Sequence, residues 1–418
     1  MPSGGREAVS AESRPRLTER HVLALGLSVS AIFVLLAALV AVATILRGGS
    51  QWAAMHLALA GAATVAIGAF MPHFAVTLAG TRPAPPRWRL AALGLLALGA
   101  AAAVLGVALL AGGWAAFGAA SSIAGLAVVA AHTFAPLREP LARRHHVVSV
   151  AYGVALVEMA LGMLLGALGA LGIPEITAAW GSLRPAHAWL TLFGAVSLTI
   201  FATLVYLAPT VLGARIRLSR SLAAATVGMV AGPPVATIGF MLALAPVVMT
   251  GAGVILIGAI GQIGFLLDVY RRRGPFRSEH DWRRVSVWHM GLGAAWFAGA
   301  VAAALGGLIG GHPVVGWSIG LLAIPMVGGW MLQELVGSWT YLVPSVTPGD
   351  AEHHAAQRRI LAVASRSRLG AWNAGVALAW LGLSVGATAI AVGGAVLVGI
   401  CVVTSVAILA RALTAARY

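Results

Sequence analysis

Apolar runs of twenty or more residues follow one another along almost the whole chain, broken by short polar segments that carry arginine, glycine and proline. Each run is long enough to cross a hydrocarbon layer of roughly 30 Å as a helix. Twelve spans can be drawn, over about 21–46, 52–79, 88–112, 114–136, 147–173, 186–212, 219–245, 249–270, 284–310, 315–343, 369–391 and 393–414. The pattern predicts an all-α fold: a polytopic integral membrane bundle of about 12 transmembrane helices. Residues 1–20 are polar, and the apolar stretch from Val22 to Leu46 reads as a retained first helix, not a cleaved signal.

The polar positions alternate in kind. Arginines cluster before span 1 (Arg14, Arg16, Arg20), after span 2 (Arg82, Arg87, Arg89), after span 4 (Arg138, Arg143, Arg144) and after span 6 (Arg215, Arg217, Arg220). They cluster again after span 8 (Arg271 to Arg273, Arg277, Arg283, Arg284), after span 10 (Arg358, Arg359, Arg366, Arg368) and at Arg411 and Arg417. Only Arg47 and Arg184 fall at the other junctions. The positive-inside rule then puts both termini in the cytoplasm. Trp52, Trp114, Trp180, Trp189 and Trp317 near one set of span ends, and Trp88, Trp282, Trp288 and Trp372 near the other, read as an interfacial belt.

A repeat underlies the spans. His56 opens Met55-His56-Leu57-Ala58-Leu59 in span 2, and His187 opens His187-Ala188-Trp189-Leu190 in span 6. Both spans close in a matching turn, Gly80-Thr81-Arg82 and Gly213-Ala214-Arg215. Span 10 ends in Leu342-Val343-Pro344, echoing Leu207-Ala208-Pro209. His21, His146 and His289 stand near the starts of spans 1, 5 and 9. Three four-helix units follow, over 21–146, 147–283 and 284–418, in a single membrane domain. The third lacks the span-2 histidine; its nearest, His312, precedes span 10.

Composition narrows the class. The 418 residues are 60% hydrophobic and 9% charged, which excludes a water-soluble domain. The net charge of +15 sits in short loops, so it serves topology and anionic lipid, not nucleic acid. The one cysteine, Cys401, excludes a disulfide or a Cys-ligated cluster within the chain. Neutral imidazole suits haem iron, copper or zinc. His56 and His187 are therefore the candidate ligands of an outer metal site, with His73, His132 and His289 as candidates for an inner one. Glu158, Glu334 and Gln333 lie within spans and are candidates for a proton or ion path; Gln262 and Asp268 are polar neighbours in span 8. Gly232-Pro233-Pro234 predicts a kink or interruption of span 7. Asp350, Glu352, His353 and His354 form a polar cluster in the loop after span 10.

Twelve helices in three units, with histidines at the outer starts of helices 2 and 6, form a plan that resembles subunit I of the haem–copper oxidases. The resemblance implies a haem-ligand position at His56 and a copper-ligand position at His187, and the tail from Pro72 to Arg89 is similar to the end of helix 2 there. Span 10 has no histidine pair, no adjacent histidine pair follows span 6, and no tyrosine stands one turn from His187. The family's oxygen-reducing centre is therefore not implied. The segments from Leu207 to Arg215 and from Gln333 to Pro344 resemble the NnrS-type haem- and copper-containing membrane proteins. They also resemble the membrane module fused to some actinobacterial multicopper oxidase or nitrite reductase-type proteins. That likeness implies haem and/or copper as cofactors, a role in respiratory or nitrogen-oxide metabolism, the bacterial inner membrane, and a periplasmic cupredoxin-type oxidase as partner. The buried acids and the Pro-Pro span support a different expectation, a secondary transporter for a metal ion or small anion.

Overall fold

The computed structural model describes residues 18–47, 49–139, 145–274 and 281–415. The polar segment up to Leu17, with Arg14 and Arg16, lies outside the described residues, as do Arg143, Arg144, Arg277 and Arg417. No strand occurs among the described residues. The long helices are α1 (Glu19–Leu46), α2 (Trp52–Ala79), α3 (Pro86–Ala108), α4 (Gly112–Leu137), α5 (His146–Ala170) and α6 (Trp180–Leu212). They continue as α7 (Arg220–Met241), α8 (Ala245–Arg271), α9 (Trp282–Ile309), α10 (Gly320–Val346), α11 (Ser365–Ser384) and α12 (Thr388–Thr414).

Eleven of these are both long and apolar enough to cross a membrane; α11 is the exception. At 20 residues it has the length, but Arg366, Arg368 and Asn373 lower the hydropathy of its first half. Its end differs from expectation too. The apolar pattern runs on to 391, yet the chain turns at Val385–Ala387, where Gly386 takes the left-handed φ of 72°. No charged residue marks that turn, only Ser384 and Thr388 on either side of it, so hydropathy alone passes over it.

The same turn closes three helix pairs. Leu110 (φ 55°), Ala243 (φ 54°) and Gly386 occupy the left-handed position after α3, α7 and α11. In each, the next residue's N–H returns to a glycine carbonyl: Ala111 to Gly106, Leu244 to Gly239, Ala387 to Gly382. The two helices of each pair then meet through small residues. A Cβ on Gly228 would stand 2.4 Å from Gly258 Cα, and one on Gly394 would stand 2.6 Å from the Gly375 carbonyl oxygen. Close backbone approach supplies the packing that a hydrophobic force cannot supply in lipid.

The pairs are arranged around an inner trio. About three quarters of the apolar windows of α2, α6 and α10 is buried (72%, 78% and 72%), against half or less in every other span. The first helix of each group packs on the last helix of the group before it: α5 on α4, α9 on α8, and α1 on α12. The ring is closed, with the second helix of each group at the centre. Its outer surface is apolar, with Leu39, Val227, Ile257 and Ile400 all more than half exposed, as lipid contact demands.

Three sequence expectations change here. Pro233 and Pro234 lie inside an uninterrupted α7, where Gly232 packs against Ile255 and Gly251 of α8. The Pro-Pro step is absorbed within one helix, and the departures from α geometry lie in α2, α6 and α10 instead. The expected belt also shrinks. Trp189 and Trp372 are fully buried and Trp317 is 8% exposed, whereas Trp88, Trp114 and Trp288 are exposed. Trp189 belongs to an inner aromatic group with Phe193, Phe240 and Trp317. Finally, the loop after α10 is a helix, Ala351–Leu361, and Asp350 caps it by accepting the His353 amide hydrogen at 2.8 Å.

Candidate functional site: a histidine pair above a central cavity

Each central helix contains a π-wound stretch: Leu57–Ala63 in α2, Trp189–Val196 in α6 and Ile324–Met331 in α10. Wider turns leave carbonyls that miss their usual i+4 partners, so other donors must meet them. They do so in a repeated way. The Thr64 hydroxyl donates to the Leu59 carbonyl at 2.9 Å, and the Ser197 hydroxyl to the Leu192 carbonyl at 2.7 Å, each five residues back. Ser30 of α1 donates to the Ala62 carbonyl at 2.7 Å. In α10 the Gln333 amide reaches the Gly329 carbonyl and the Trp372 indole reaches the Gly328 carbonyl, both at 2.8 Å. The α2 stretch touches those of both α6 and α10.

The two outer histidines stand at the mouths of two of these stretches, His56 directly before Leu57 and His187 two residues before Trp189. The helix α6 begins at Trp180, earlier than the apolar pattern suggests, so His187 lies about two turns inside it. The rings come together across the α2–α6 boundary, with centroids 6.2 Å apart and planes 2° from parallel. His56 also stacks on Trp52 at 4.1 Å. Its Nδ1 lies 2.8 Å from the Trp52 carbonyl oxygen, and His187 Nδ1 lies 2.8 Å from the Gly162 carbonyl oxygen of α5. A carbonyl only accepts, so both Nδ1 atoms carry the hydrogen, and in the neutral ring Nε2 then carries the lone pair. Backbone anchoring of one ring nitrogen is the usual support of a metal-ligating imidazole. Two imidazoles on opposite sides of one ion, at metal–nitrogen distances of roughly 2.0–2.1 Å, put their centroids about 6 Å apart. Gly166 keeps this place open: a Cβ there would stand 3.1 Å from His187 Cε1. In the third group, Leu322 and Ala323 precede the π stretch and no imidazole is offered.

Below the π stretches lies a cavity of about 80 Å³, bounded by Ala63, Val196 and Met331, the last residue of each stretch. Its walls come from α2, α6 and α10 alone. They are apolar except for Thr199, Thr203, Ser338 and one ionisable group, Glu334. That residue is 2% exposed, and neither carboxyl oxygen has a hydrogen-bond partner. Glu158, 3% exposed, is likewise unpartnered and stands against Gly194 of the α6 π stretch, where a Cβ would lie 2.6 Å from its Oε2. Gln333 does not face the cavity; it pairs with Asn373 of α11, which also accepts from the Trp296 indole. Gln262 is buried with no partner, and Asp268 is paired with Arg272 one turn on.

The three inner histidines do not meet. His73 lies 3.4 Å from Glu19, His132 stands half-buried on α4, and His289 is buried with its ring edge-on to Trp372, centroids 5.6 Å apart. Among the described residues no three His, Cys, Asp or Glu side chains are grouped as a metal would need, and the Asp350 cluster is likewise occupied by helix capping. What His73 joins is an ion pair that sequence reasoning passed over. Glu19 pairs with Arg89 of α3, which also donates to the Ala69 carbonyl of α2 and is 3% exposed. An acid directly before span 1, beside Arg20, was the available signal. No family model and no curated protein matches the chain.

Proposed function

We propose that this multi-pass membrane protein binds haem iron or copper through His56 and His187, on the arginine-poor face. The observation that carries this reading is the parallel imidazole pair with both Nδ1 atoms tied to backbone carbonyls. Such a centre, when loaded, supplies one-electron redox chemistry or a place for a small gaseous ligand. The protein's own part is to hold two neutral imidazoles in a low-dielectric setting. The resemblance noted above then suggests respiratory or nitrogen-oxide metabolism in a bacterial inner membrane, with both termini cytoplasmic. The metal site would face a periplasmic cupredoxin-type partner.

The test is an absorption spectrum and metal analysis of detergent-purified protein beside His56→Ala and His187→Ala. A Soret band, or about one copper per chain, lost in either variant, is expected. Protein that takes up neither haem nor copper on reconstitution would overturn the reading.

One observation favours a second reading, a secondary transporter for a metal ion or small anion. Glu334 faces the central cavity with an unpartnered carboxyl group. Flux into proteoliposomes that Glu334→Gln or Glu158→Gln abolishes, with no metal bound at the histidines, would select it.

A further inference from the structure

A cleft of about 370 Å³ opens on the arginine-rich face, where the second and third four-helix groups meet. The ends of α6 and α8 and the starts of α9 and α11 form it. Four arginines line it, Arg273, Arg283, Arg284 and Arg366, and no acidic side chain is among the described residues of the lining.

Two of these cations are held by their surroundings. Arg273 lies over the Tyr270 ring at 4.1 Å and donates to the Tyr270 carbonyl at 2.7 Å. Arg283 donates to the Val211 carbonyl at 2.9 Å and lies 5.5 Å from the Trp282 ring. Both guanidinium groups are thus fixed at the cleft by backbone and aromatic contacts.

One turn deeper, the wall becomes apolar. Val287 and Leu369 line it, and Trp288 lies there 52% exposed. Cations at the membrane surface above an apolar wall are shaped for an amphiphile with an anionic head. A free phosphate shares the head chemistry but leaves the lower wall unused. We propose that this cleft is a binding site for an anionic phospholipid, its phosphate on the four arginines and an acyl chain along Val287, Trp288 and Leu369. Basic pockets between transmembrane helices suit such headgroups. The proposal is independent of the histidine site.

The test is thermal unfolding and native mass spectrometry of the delipidated protein in detergent. Four probes are titrated: a diphosphatidyl phospholipid, phosphatidylglycerol, phosphatidylcholine and inorganic phosphate. The anionic lipids should raise the midpoint saturably and remain bound, whereas phosphatidylcholine and phosphate should not. The pair Arg273→Gln/Arg366→Gln should weaken the effect by about tenfold or more. A control pair on the same face, Arg82→Gln/Arg87→Gln, should leave it unchanged. Equal weakening by the control would mean non-specific surface attraction and would overturn the proposal. So would equal protection by phosphatidylcholine, or protection by phosphate alone, which would make the site one for a soluble anion.

Discussion

Single side chains here mostly repair the backbone of the central helices. Ser197 is the clearest case: fully buried, it donates to the Leu192 carbonyl and accepts from the Trp330 indole at 3.0 Å. Ser197→Ala strands both partners, so it should cost about 1–3 kcal/mol. Thr210→Ala, whose exposed hydroxyl only rejoins its own helix, should cost almost nothing; thermal unfolding in detergent compares the two. Asp350 allows a pH prediction. The His353 amide hydrogen on its carboxylate holds its pKa below the ordinary Asp value, so the ionised form is the one that caps. Capping is therefore complete at neutral pH and fades as pH falls below about 4. Amide protection at the first turn of Ala351–Leu361, taken relative to the intrinsic exchange rate at each pH, should be lower at pH 3 than at pH 6, and in Asp350→Ala it should be low at both. The histidines themselves were legible as residues, because imidazole at the start of an apolar span stands out. Their hydrogen-bond partners were not, since Trp52 and Gly162 offer only backbone carbonyls, which every residue has.

At the scale of elements, the π-wound stretches set the direction of the histidines. Deleting Ala60 should let α2 close into a regular α-helix and turn His56 by about 100° relative to the rest of the helix. On the metal-binding function proposed above, the expected result is normal helix content with no haem or copper taken up; uptake equal to that of the parent protein would show that the stretch does not orient His56. Hydropathy gave good positions for most helices because a membrane span is defined by length and apolarity, both local. It misplaced the start of α6, because Trp180–Ala188 carries Arg184 and Pro185 within helical backbone. The Pro233-Pro234 step predicted a kink or an interruption; no interruption occurs, and close packing of α7 on α8 surrounds the step. The π stretches had only a faint trace: glycines at 61, 194 and 329, recurring at nearly the repeat spacing.

For the whole molecule, the alternation of arginine-rich and arginine-poor junctions implies one orientation. Replacing Cys401 by serine and adding Arg82→Cys or Thr177→Cys places a single thiol on either face. Thr177→Cys should react with an impermeant reagent in intact cells, and Arg82→Cys only after permeabilisation. The reverse would put the histidine pair in the cytoplasm. Spans, charge alternation and the recurring histidine were determined by the sequence alone, since each is a one-dimensional property of length, charge or spacing. Tertiary structure alone decided which helices are central, that His56 meets His187, that His73 joins Glu19 and Arg89 instead of other histidines, and that Glu334 faces a cavity. The reason is that a surface packed on protein and a surface bathed in lipid are equally apolar. The pattern along the chain therefore marks what enters the membrane and is silent on which side chains face each other there.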